Sequence, residues 1–341
     1  MSSLKPKSTA TVFVTAAALA LGCGLGTAAA APSSPSPSAV AVAAAAPACG
    51  SAAVSGRTVS GALSAAEVHR QLNSLTQQHR SQYGTPSGIA AKGPLGDTAA
   101  TGTATATATA TGTATGTVVR PLLDIHPAQG TAFKSLSGSD GSCATQSVST
   151  QLTVHDSGTT IYTPTMYPAG GSCVELVTVY TRTVRSVSAW DWCRSVNFAA
   201  SVTINSSFLT TYTGGTGAYT GRVVKTSAAS NTWSADLYNY STGRWDTLFA
   251  QSGTNQSGRT DGWDIEELYS TVGASGQASS CTDMANLTFE SANIAVRTNG
   301  TWSPASTANA DTHYDSPAGS FYCPTRTFQM LTAYTHWKAT G

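Results

Sequence analysis

The chain has 341 residues, of which 10% are charged, and a formal net charge of +1 without any run of Lys or Arg. That balance excludes the electrostatic footprint of a nucleic-acid binder. After the first 31 residues no stretch reaches the roughly 20 apolar residues that span a bilayer, so the mature chain is expected to be soluble.

Residues 1–31 read as an export signal: Lys5 and Lys7, the apolar run "ATVFVTAAALALGCGLG", then small residues suited to cleavage. This places the protein outside the cell. Setting Cys23 aside in the leader leaves Cys49, Cys143, Cys173, Cys193, Cys281 and Cys323, an even set that implies up to three disulfides. Cys173 with Cys193 and Cys281 with Cys323 are the expected pairs. No Cys/His spacing suits structural zinc, and no cofactor is expected.

Residues 32–97 begin Ala/Ser/Pro-rich and then carry "SAAEVHRQLNSLTQQHRSQYG", which predicts one helix over 63–83. Ser64 and Glu67 have capping-box spacing, Val68, Leu72 and Leu75 recur at helical intervals, and Gly84 stops the run. One helix cannot bury itself. It either docks on the domain that follows or belongs to a removable pro-segment. The stretch "TAATGTATATATATGTATGT", 98–117, has no large side chain to bury and is expected to be a disordered linker.

From 119 to 341 the texture is Thr, Val, Tyr and Trp in short runs broken by Gly, Asn and Ser. Strands are predicted at 174–184, 219–226, 232–240, 244–250, 262–270 and 285–298, with "NYSTGRW" a hairpin turn in which Gly243 takes a positive φ. Many short strands without a βαβ rhythm give an all-β fold, an antiparallel two-sheet β-sandwich of jelly-roll, concanavalin-like type.

Four carboxylates, Asp261, Asp264, Glu266 and Glu267, crowd seven positions around Trp263. In a strand, Trp263, Ile265, Glu267 and Tyr269 share one face, expected to meet the core or a cleft, while Asp264, Glu266 and Leu268 share the other. Asp264 and Glu266, two apart, would raise one another's pKa as acid/base pairs do. The plainer explanation is a polar face turned to water, with Glu267 paired to Arg182 or Arg244.

A second constellation is aromatic. Trp190 and Trp192 share a face if extended, and with Trp233 and Trp263 they would line a concave surface where sugar rings stack, Asp191, Asp236, Asn239, Arg244 and Asp264 bonding the hydroxyls. Large aromatics also fill the thick centre of a sandwich. In "DTHYD", Asp311, His313 and Asp315 form a weak candidate cation site, although Pro317 and nearby Gly and Ser favour a loop. Neither GxSxG nor HExxH occurs, so carboxylates are the candidate catalysts, Glu266 and Glu267 first.

The region 172–338, with "YTRTVRSVSAWDWC", "NTWSADLYNYSTGRWDTLF" and "GWDIEELYS", resembles secreted lectin-like proteins of actinomycetes. That resemblance implies binding of a polysaccharide or glycan, which is the leading expectation. "AWDW", "NYSTG", "DGWDIEE" and "LTFESA" also resemble the strand pattern of the glutamic peptidases (eqolisins). This second likeness implies the alternative, an acid-acting hydrolase using paired carboxylates, either a glutamic-type endopeptidase or a glycosidase. Matched so, Glu266 corresponds to that family's second acid, Gly262 replaces the acid before its tryptophan, and its catalytic glutamine has no assigned counterpart. Oligomeric state stays open.

Overall fold

A computed structural model describes residues 49–50, 52–83, 123–125, 127–314 and 321–341. The expected leader and the 98–117 stretch lie outside the described residues.

In chain order the elements are β1 (Val54–Thr58), α1 (Ala65–Tyr83), β2 (Leu123–Ile125), β3 (Ala128–Phe133), β4 (Ser139–Ser147), β5 (Thr160–Tyr167), β6 (Val174–Tyr180), β7 (Arg185–Asp191) and β8 (Asn197–Thr203). They continue with α2 (Ser206–Thr213), β9 (Ala218–Ser227), β10 (Thr232–Asn239), β11 (Arg244–Gln251), β12 (Gly262–Val272), α3 (Ser279–Asp283) and β13 (Thr288–Thr298). The last strands are β14 (Thr301–Pro304), β15 (Ala310–Tyr314), β16 (Thr327–Thr332) and β17 (His336–Thr340).

These strands form the expected sandwich. One sheet runs β1-β11-β10-β9-β4-β13-β17-β16, with β14 on β13; the other runs β15-β3-β12-β5-β6-β7-β8, with β2 on β12. Strand pairing is antiparallel except where β1 joins β11 in parallel. The hairpin forms as read, Gly243 standing at φ 67° and donating its amide to Asn239 O at 2.8 Å.

Alternation along the strands builds the interior. Leu176, Val223, Trp233, Ala235, Leu237, Phe289 and Trp337 meet between the sheets in one buried cluster. Trp233, expected on a ligand face, is therefore interior, because β10 turns 233, 235 and 237 inward and Ser234 and Asp236 the other way.

A second apolar cluster lies on the outer face of the eight-stranded sheet. It gathers Tyr162, Tyr167, Trp190, Trp192, Phe198, Trp263, Ile265 and Tyr269 with Val68, Leu72 and Leu75 of α1. Burial of each of those three helix side chains contributes about 1.5–3 kcal/mol. β12, central between β3 and β5, has no solvated face: its expected polar side, Asp264, Glu266 and Leu268, points into the sandwich, and all three are buried.

The described cysteines form three disulfides, Cys49–Cys143, Cys173–Cys193 and Cys281–Cys323. The last two are the pairs expected. No helix among the described residues is long and apolar enough to cross a membrane.

Candidate active site on the outer face of the eight-stranded sheet

Strand register arranges the outer face in rows that run across the strands. One row is Glu267, Tyr162 and Val179; the next is Ile265, Thr165 and Val177. Trp263 opens a further row opposite Tyr167, with Glu175 and Trp190 opposite one another on the neighbouring strands. β5 carries one residue more than β12 between these rows, Ile265 facing Thr165 and Glu267 facing Tyr162. That bulge sets Tyr162 and Thr165, three apart, on one face, and so aims Tyr162 at Glu267.

Glu267 is fully buried, and the Tyr269 hydroxyl donates to its Oε1 at 2.8 Å. Tyr162 and Tyr269 meet edge to face with ring centres 5.4 Å apart, so the carboxyl sits beside two phenol rings. The expected arginine partners do not hold it here. Two other arginines reach this acidic stretch: Arg259 pairs with Asp261, and Arg326 pairs with Glu266 on the opposite face of β12. Burial pulls the Arg326 pKa down to about 9.

Glu175 was not anticipated. Its Oε1 accepts from Thr165 Oγ1 at 2.7 Å and Trp263 Nε1 at 3.1 Å, and its Oε2 accepts from Trp192 Nε1 at 3.1 Å. One buried carboxylate thereby ties two indoles from distant strands. Around it Tyr167 stacks on Trp263 with ring centres 4.7 Å apart, Trp190 meets Phe198 edge-on at 4.9 Å, and Trp190 lies 5.8 Å from Trp192. A polar residue in a run as apolar as "VELVTVY" was the available signal.

On the inner face, Asp264 accepts from Gln146 Nε2 at 2.9 Å and Trp337 Nε1 at 2.8 Å. Tyr219 donates to Gln146 Oε1 at 2.6 Å, extending the chain of bonds across the interior. Burial pushes the Asp264 pKa up to about 7. Glu266 faces Gln129 of β3 across the ladder, on this same inner side.

The remaining candidates are spread over the molecule. Asp191 accepts from the amides of Cys193, Arg194 and Ser195 at 2.8, 3.0 and 3.1 Å and organises the turn after β7. Asp236 pairs with Arg222 at 3.0 Å, and Asn239 donates to Asp246 at 2.7 Å while capping its hairpin. Arg244 is exposed at the start of β11. Trp190, Trp192 and Trp263 thus share one face, whereas Trp233, Asp236, Asn239, Arg244 and Asp264 do not join them. Asp311 lies in β15 rather than a loop and pairs with Lys134 at 3.6 Å. Asp315 is outside the described residues, and no group of three metal-ligating side chains occurs among the described ones.

No family model and no curated protein matches the chain. Solved structures similar to it include a Scytalido-glutamic peptidase with a peptide-based transition-state analogue, at 16% identity, covering 63% of this chain and 98% of that one with a TM-score of 0.38. SCP-B, a member of the eqolisin family of peptidases in complex with the tripeptide Ala-Ile-His, is 15% identical over the same shares with a TM-score of 0.38. A Scytalido-glutamic peptidase with a transition-state analogue inhibitor is 14% identical, again over 63% and 98% with a TM-score of 0.38.

Proposed function

We propose that the protein is an exported, acid-acting peptide hydrolase whose working carboxyl group is Glu267. The observation that carries this reading is the position of Glu267: of the two adjacent glutamates it alone lies on the aromatic outer face, beside Tyr162 and Tyr269. In that place the carboxylate would take a proton from an attacking water, and the Tyr269 hydroxyl would orient it. The protonated carboxyl would then return that proton to the leaving amine.

Three further features favour peptide over glycan. Trp190, Trp192 and Trp263 are each engaged by the protein itself, Trp192 and Trp263 donating to Glu175, Tyr167 stacking on Trp263 and Phe198 meeting Trp190 edge-on, the pattern of packing rings and not of a sugar platform. Glu175 uses both carboxylate oxygens as acceptors for Thr165, Trp263 and Trp192, a structural duty that does not suit the second acid of a glycosidase pair. Finally, the face already holds polypeptide side chains, those of α1.

An acid setting suits the interior, where burial favours the uncharged form of Asp264. The test is digestion of denatured casein from pH 2.5 to 7 by the wild type and Glu267→Gln. Acid-range cleavage lost in the variant upholds the reading. Equal cleavage by both, or none by a folded wild type, overturns it.

A further inference from the structure

We infer that Asp264 is the pH-responsive positioning residue of the outer-face site: its carboxyl clasps β12 to the nine-stranded sheet and thereby fixes the stretch of β12 that carries Glu267. The role of Glu267 rests on the functional reading above; the clasp rests on the interior contacts of β12 alone.

Both sheets meet at this one side chain. Trp337 of β17 donates its indole N–H to residue 264 twice over, to the backbone carbonyl at 3.0 Å and to Oδ1 at 2.8 Å, so it grips the strand as well as the carboxyl. Gln146 of β4 donates to Oδ2 at 2.9 Å and accepts in turn from Tyr219 of β9 at 2.6 Å. The Tyr219 hydroxyl lies 2.9 Å from Thr178 Oγ1 of β6, so the chain of bonds that leaves the eight-stranded sheet at Asp264 returns to it at Thr178.

The backbone beside the clasp is irregular. β3 comes so close there that a Cβ added at Gly130 would lie 2.4 Å from Asp264 O and 2.7 Å from Ile265 Cα. The bulge of β5 falls between Ile265 and Glu267, where it interrupts the ladder. Between these residues β12 is held less by its neighbour and more by what grips it from within. Glu267 follows Asp264 by three residues and turns to the opposite face.

No cation offsets a charge on Asp264 among the described residues. Gln146 faces it from β4, Ser291 from β13 and Trp337 from β17, all uncharged, with Thr131 and Met166 opposite on β3 and β5. Burial pushes the Tyr219 phenol up, which keeps it neutral. Next along the same face, Glu266 and Arg326 compensate one another, while Glu290 pairs with His336 and Lys338 on the other side of β13 and β17. Burial pushes the Asp264 pKa up to about 7, and its three hydrogen bonds oppose that shift without outweighing it. Below that value the carboxyl is neutral and the clasp is closed. Above it, a lone buried charge draws in water and slackens the hold on β12.

The experiment labels the full chain with tyrosine carrying ¹³C at Cζ. It follows the Tyr269 resonance, assigned by its absence from Tyr269→Phe, together with casein turnover from pH 5 to 8. Because the Tyr269 hydroxyl donates to Glu267, the resonance reports the placement of that carboxyl without relying on activity. In the wild type it should move with a midpoint at about pH 7, and turnover at pH 8 should be about a tenth of that at pH 5. Asp264→Asn should hold the resonance at its pH 5 position throughout and raise that ratio about tenfold. Trp337→Phe, which loses the donor, should show the pH 8 position already at pH 5, with circular dichroism confirming the strands of both variants. A resonance that does not move in the wild type, or moves equally in Asp264→Asn, overturns the inference. If Asp264→Asn does not fold, a wild-type resonance in Trp337→Phe overturns it instead. Movement abolished by Asp264→Asn with no cleavage of casein by any form upholds the clasp and overturns the hydrolase reading.

Discussion

Glu266 and Glu267 are neighbours in the chain and occupy opposite faces of one sheet, the first paired with Arg326 inside the sandwich, the second bonded by the Tyr269 hydroxyl outside it. The two carboxyls therefore answer to different forces. Substituting each singly separates chemistry from stability.

Glu267→Gln should lower casein turnover by about 10²–10⁴-fold, the range of a lost general acid–base group, with an almost unchanged urea midpoint. Glu266→Gln should behave in reverse. It replaces the buried carboxylate that pairs with Arg326 by an uncharged amide, at a cost of about 3–5 kcal/mol, while activity per folded molecule is kept. Urea titration and initial rates on the two variants decide this.

Stability should fall as pH rises from about 4 to about 7. Asp264 is raised from 3.8 to about 7 in the fold by burial, so in that window the folded chain holds a proton that the unfolded chain has released. The contribution is complete below the unfolded value and is lost as pH rises through the folded one. The slope is about 1.4 kcal/mol per pH unit for one proton. Asp264→Asn should flatten it, as measured by urea midpoints at pH 4, 5, 6 and 7.

Glu175→Ala should destabilise the protein by about 3 kcal/mol or more, since it removes the buried acceptor shared by the indole N–H groups of Trp192 and Trp263 and the Thr165 hydroxyl. Glu175→Gln keeps an acceptor and should cost less. Tryptophan emission should shift to the red in Glu175→Ala as the aromatic row loosens.

Asp191→Ala should cost about 2–4 kcal/mol by freeing three backbone amides of the 193–195 turn. If Asp191 instead contacts a glycan, added polysaccharide would raise the melting temperature of the wild type and not of the variant. The geometry leads us to expect no such difference.

The sandwich was legible because its signals are local: short β-rich runs, Gly and Asn turns, and an even cysteine set. Strand phase along β12 was legible too, Trp263, Ile265, Glu267 and Tyr269 sharing a face as alternation requires. What alternation could not say was which face met water. The presence of Asp264 and Glu266 suggested a solvated side, yet β12 is covered on both sides and its acids are held by Gln146, Trp337 and Arg326 from distant parts of the chain.

Local pattern in the sequence determined the strand-rich class, the hairpin at Gly243 and the split of the acids between two faces, because each follows from a few adjacent residues. Only the tertiary structure decided that Trp233 is interior, that Glu175 ties Trp192 to Trp263, and that a bulge in β5 turns Tyr162 toward Glu267. Those relations depend on register and on which sheets stack. Pairing energies between residues some 90 or 100 positions apart set them, and no short window of sequence carries that information.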